Sequence, residues 1–174
     1  MPNANPAVRR PQSLRTALAV IATAAGLAAA LPAAAQELVV RSVQAASYQD
    51  VHDALIDAIA EQGIAPPSEN DFGDLLARTA ADLGHRPDLY AEARLVSFCS
   101  TPIAARLAAE SVHNMLYCPL AIAVYRLPAE RGRVYLSYRR NADSAGGKAA
   151  EVLLERIISR AAAPFEAGSR KAPQ

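Results

Sequence analysis

Tryptophan is absent from this chain, and aromatic residues together make up only 5% of its 174 positions. A core must therefore be assembled from Ala, Leu, Ile and Val. An excess of either charge is missing too: 18 Lys and Arg stand against 17 Asp and Glu, a formal net charge of +1. That excludes the strongly basic character expected of a nucleic-acid binder. Only two cysteines occur, Cys99 and Cys118, and no C-x-x-C, so a thioredoxin-like redox motif is excluded. Neither a Ser–His–Asp constellation nor a carboxylate pair can be built from spacing. Ser100 lacks the flanking glycines of a nucleophile elbow. There is no phosphate-loop motif and no internal repeat. What remains is 52% hydrophobic and 20% charged, the composition of a folded chain rather than a disordered one. At 18.4 kDa there is room for one domain plus extras.

The extras lie at the N-terminus. Arg9, Arg10 and Arg15 precede a stretch from Thr16 to Ala35 that carries no charge and is more than half Ala. A positive segment, an apolar segment and the small residues Ala33-Ala34-Ala35 form a secretory signal pattern with cleavage after Ala35. A retained anchor is the rival reading, since such a length can just span a bilayer. Export to the periplasm or medium is the expectation, with residues 1–35 removed, 36–163 forming a single domain and 164–174 a flexible tail. Loss of the three arginines leaves 15 basic against 17 acidic side chains, a charge of −2. Nucleic acid is then excluded more firmly as a partner, and no stable membrane insertion is expected after cleavage.

Along the rest of the chain, Glu37–Gln44 is Val-rich and reads as a strand. Ser47, with Asp50 three residues on, opens a helix whose apolar side is Val51, Leu55, Ala58 and Ile59, closed by Gly63. Pro66-Pro67-Ser68 reads as a break. A second helix, Asp71 to Leu83, is expected to turn Phe72, Leu75, Leu76 and Ala80 inward. Glu92–Cys99 reads as a strand, and Pro102 suits the start of a helix through Glu110. Leu120–Arg126 and Val134–Tyr138 form a hairpin, with Val134, Leu136 and Tyr138 on one face. A last helix runs from Lys148 to about Ala161. A hairpin among interleaved helices predicts an α+β fold: a largely antiparallel sheet with helices on one face, the other solvated or covered by a partner.

Several segments together carry a resemblance. They are Tyr48-Gln-Asp-Val before an apolar helix, Leu75-Leu76 with Arg78 to Gly84, Phe98-Cys99-Ser100, Cys118-Pro119-Leu120 running into Val124-Tyr125, and Val134 to Arg139. The chain resembles the bacterial domain of unknown function 302 family from about Val39 to Arg160. The resemblance implies a TATA-box-binding-protein-like arrangement, strand–helix–four strands–helix, and a homodimer. It assigns no activity and no catalytic residue, and the fold label carries no DNA binding with it. Where the family often has an Asp-Pro-like turn, this chain reads Ser111-Val112-His113-Asn114, so any role of His113 is its own.

Two cysteines in an exported chain suggest a disulfide. Cys99 ends one strand and Cys118 begins the next. Antiparallel neighbours would bring the sulfurs together and parallel ones would hold them roughly 20 Å apart. The family fold implies the former. A reducible redox pair, or two separate thiols, are the other readings. His113, Met115 and Cys118, with Cys99, form a donor set suited to Cu(I) rather than Zn²⁺; otherwise no cofactor is expected. His52 reads as solvent-facing beside Asp53, and His85 as helping to close the helix it leaves. Tyr125, Tyr135, Tyr138 and Arg139 are candidates for a shallow surface that takes a small ligand or a second subunit. Arg139-Arg140 beside the Gly146-Gly147 helix start could receive an anion. The reading is an exported, non-catalytic accessory or binding module. The alternative is a thiol-dependent redox, sulfur or Cu(I)-handling protein using Cys99 and Cys118.

Overall fold

Side chains alternate across a strand, so each strand's sequence dictates which face it buries. Five strands do this together in the computed structural model, which describes residues 37–45 and 47–169. The expected signal peptide lies outside these residues. The strands are β1 (Leu38–Gln44), β2 (Ser68–Asn70), β3 (Glu92–Phe98), β4 (Leu120–Arg126) and β5 (Arg133–Arg139). They form one antiparallel sheet in the order β1-β5-β4-β3-β2. Helices α1 (Tyr48–Ala60), α2 (Phe72–Leu83), α3 (Thr101–Glu110) and α4 (Ala145–Ser169) complete the chain, with a 3-10 helix over Val112–Tyr117. This is the expected α+β architecture. It follows the strand–helix–four strands–helix order, with α2 between β2 and β3 and α3 between β3 and β4. Strand β2 occupies the break after Pro67; three polar residues carry no apolar alternation that would betray it.

The buried face collects Val43, Val96, Phe98, Leu120, Ile122, Val124, Val134 and Leu136. Against it lie Val51, Leu55 and Ile59 of α1 and Leu154, Ile157 and Ile158 of α4. Full burial of each such side chain contributes about 1.5–3 kcal/mol relative to leaving it in water. Ser47 caps α1 by accepting from the Asp50 backbone N–H. No helix of the described residues is long and apolar enough to cross a membrane.

Two expectations about helices are corrected. Helix α4 does not end near Ala161 with a tail from Pro164. It passes through Pro164 to Ser169. Proline removes one backbone hydrogen bond, but the last turns have anchors: Phe165 packs on the core, and Arg41 of β1 donates to the Glu166 carboxylate at 2.7 Å. Residues 170–174 lie outside the described residues. In α2 only Ala80 is buried, while Phe72 and Leu75 stay exposed. The helix approaches β3 through Gly73, where an added Cβ would stand 3.0 Å from the Ala93 backbone nitrogen. Contact through the smallest residue leaves the larger apolar ones outside.

Candidate functional site

The register carries four side chains across the open face of the sheet in one row. Val40 on β1 faces Ser137 on β5, Ser137 faces Ala123 on β4, and Ala123 faces Leu95 on β3. The outer two are large and the central two small. The row is therefore a trough with Ser137 and Ala123 as its floor, running along the strands. Leu38, 64% exposed, extends the β1 wall. The trough opens into two adjoining basins of about 310 and 270 Å³ that share Leu38, Leu95, Ala123 and Ser137.

Aromatic rings close one end. Tyr125 and Tyr135, paired across β4 and β5, stack with centroids 5.1 Å apart and planes 11° from parallel. Tyr90 meets Tyr125 edge-on at 5.7 Å, and Phe72 meets Tyr90 at 6.1 Å. Such pairs stabilise each other by about 0.5–1.5 kcal/mol beyond their burial. The Tyr135 hydroxyl donates to Glu130 at 2.6 Å, which fixes that ring. Burial pushes the Tyr125 phenol above its ordinary value.

Arg139 and the 3-10 helix form the other end, with Leu116, Tyr117 and Pro119. Leu116 is 85% exposed and Met115 71%. The segment from α3 through the 3-10 helix leaves β3 and returns at β4. Its base is closed by Cys99 and Cys118, whose sulfurs are at bonding distance and whose Cα atoms are 5.7 Å apart. The antiparallel pairing of Phe98 with Leu120 brings them together.

Of the surface candidates, Tyr125, Tyr135 and Arg139 share the open face. Tyr138 does not: it is 6% exposed and belongs to the core, on the same side as Val134 and Leu136. Strand alternation requires this, since Tyr138 and Arg139 are adjacent. The structure brings Cys99 and Cys118 together and leaves His113 and Met115 exposed on the 3-10 helix. No group of three or more His, Cys, Asp or Glu gathers as a metal site among the described residues. His52 is not solvent-facing but 4% exposed. Its Nε2 lies 2.8 Å from Glu69 of β2 and its Nδ1 3.0 Å from Asp53. The short edge strand, unforeseen, covers it. His85 closes α2 through its backbone N–H to the Ala80 carbonyl rather than through its ring. The start of α4 is not open to an external anion: the Glu110 carboxylate accepts from the Gly146 N–H, and Ser144 from that of Gly147. Arg140 is held by Glu37 and Glu151.

The walls Leu38, Val40 and Leu95, and the rings Phe72 and Tyr90, are the parts that sequence reasoning missed. A signal existed. Leu95 is out of phase with Val96 and Phe98, and Val40 with Val39 and Val43. A strand with a wet outer face should carry polar residues there.

The family described as Domain of unknown function DUF302 matches the chain over residues 39–163. Among solved structures, the chain is similar to the crystal structure of an uncharacterized conserved protein DUF302 from Bacillus stearothermophilus. The two are 15% identical with a TM-score of 0.49, over 76% of this chain and 98% of that one. No curated protein matches the chain.

Proposed function

The chain belongs to the DUF302 family, and we propose that it is an exported, non-catalytic binding module that holds a small apolar ligand on its open sheet face. One observation carries this reading: large apolar walls on β1 and β3 flank a floor of Ser137 and Ala123, with stacked tyrosines across one end. Concave apolar surface with a few polar groups is the usual form of a small-molecule site. Solvated apolar side chains on this scale gain free energy when a ligand covers them. Export accounts for the paired cysteines, because such pairs persist in oxidising compartments. In this reading Cys99–Cys118 is a staple holding the 3-10 helix at the trough's end.

The test is fluorescence titration of the purified protein with the neutral probe N-phenyl-1-naphthylamine. Saturable binding is expected at one probe per chain. Ala123→Trp, which fills the floor, and Leu95→Asp, which wets a wall, should each abolish it while circular dichroism stays unchanged. Absence of saturable binding, or equal binding by both folded variants, overturns the reading. A second copy on this face would show as a doubled sedimentation mass that Leu95→Asp halves, with no probe bound, and that also overturns it.

A further inference from the structure

The two ends of the trough differ in charge. At the ring end Arg94 is already committed, with Glu69 at 3.5 Å and Asp71 at 3.9 Å. At the other end Arg140 is committed to Glu37 and Glu151. Arg139, at that same end, is exposed, stands opposite Leu38 in the register, and makes no ion pair among the described residues. No carboxylate lines either basin among those residues. Asn141 adds a polar neighbour. A guanidinium presents a planar fork of donors that matches a carboxylate with two parallel hydrogen bonds. Here it stands at the mouth of an apolar channel.

We propose that the trough binds a small amphiphile, with a carboxylate head at Arg139 and an apolar tail lying over Ser137 and Ala123 toward Tyr125 and Tyr135. The inference rests on the reading of the sheet face as a ligand trough and adds the ligand's class and direction. Length supports it. Arg139, Ser137 and Tyr135 alternate along β5, and four residues at ~3.4 Å each give roughly 14 Å, the reach of an extended chain of about ten carbons with its head group. The charges support it as well: a cationic ligand would meet Arg139 and no acid. A neutral ligand would make no use of the one guanidinium at this mouth that has no ion-pair partner among the described residues.

Decanoate and decanol test this, titrated calorimetrically into the purified protein at concentrations below micelle formation. Decanoate is expected to bind roughly ten-fold more tightly than decanol, the effect of one charge-assisted hydrogen-bonded pair. Arg139→Gln should bring decanoate down to the affinity of decanol measured on the same variant. Arg139→Lys should recover only part of the preference, because an ammonium cannot form the fork. Equal binding of both compounds, or a preference that survives Arg139→Gln, overturns the carboxylate assignment and leaves the trough standing. Failure of both compounds to bind overturns the trough reading itself.

Discussion

His52 on α1 and Glu69 on β2, 17 residues apart in the chain, meet at 2.8 Å between Nε2 and a carboxylate oxygen. The contact ties a three-residue edge strand to the first helix. Ser68, Glu69 and Asn70 otherwise hold their place on β3, through strand pairing and the Arg94–Glu69 ion pair at 3.5 Å. His52→Ala removes a buried ring and the partner of Glu69, and should cost roughly 2 kcal/mol or more in denaturant unfolding. A double-mutant cycle with Glu69→Gln should return a coupling of about 1 kcal/mol, reduced because Glu69 is one-third exposed. Hydrogen exchange should accelerate at Ser68–Asn70 first. A coupling of zero would show that β2 is held by its contacts with β3 and not by His52.

Acid should weaken the protein partly through Asp53. The hydrogen bond with His52 holds its carboxyl below the ordinary 3.8, with Gln49 adding to the effect. A depressed folded-state pKa means stability fully present above the unfolded value and lost as pH falls through the folded one. Melting temperature measured from pH 6 down to pH 2 should therefore fall less steeply below pH 4 in Asp53→Asn than in the unsubstituted protein. Parallel slopes would remove Asp53 from the acid response.

Reducing the Cys99–Cys118 pair releases the loop between two cysteines separated by 19 positions in the chain. On the chain-entropy argument the bridge contributes about 3 kcal/mol. The Cys99→Ser/Cys118→Ser variant should unfold at correspondingly lower denaturant. Exchange protection should drop over Val112–Tyr117, which forms one end of the trough. Decanoate binding should weaken with it. Full retention of binding would separate the staple from the site.

Gly147→Ala should be among the more damaging single-methyl additions. A Cβ there collides with the carbonyl of Ala142, backbone that cannot swing aside as a flexible side chain can. Overpacking of this kind costs typically 1–3 kcal/mol. Gly63→Ala meets nothing within 4 Å but sits at a φ of +70°, so its smaller cost comes from backbone strain alone. Equilibrium unfolding of the two variants should rank them in that order.

The sequence by itself determined the elements whose signals are local. Val51, Leu55 and Ile59 recur at helical spacing behind a serine cap, and Leu120, Ile122 and Val124 alternate opposite Val134 and Leu136. Periodicity states what a segment buries. It does not state what the segment meets. The tertiary structure decided that Tyr125 and Tyr135 stack on each other outside, because register sets them opposite one another on neighbouring strands. It decided that Glu110, distant in sequence, fills the start of α4. It decided that Phe165 and Glu166 prolong a helix past a proline, through contacts with the core and β1 that the helix's own sequence does not contain. The trough belongs to this second kind. Val40, Ser137, Ala123 and Leu95 lie on four separate strands, and only their antiparallel pairing makes two small residues a floor between two large ones.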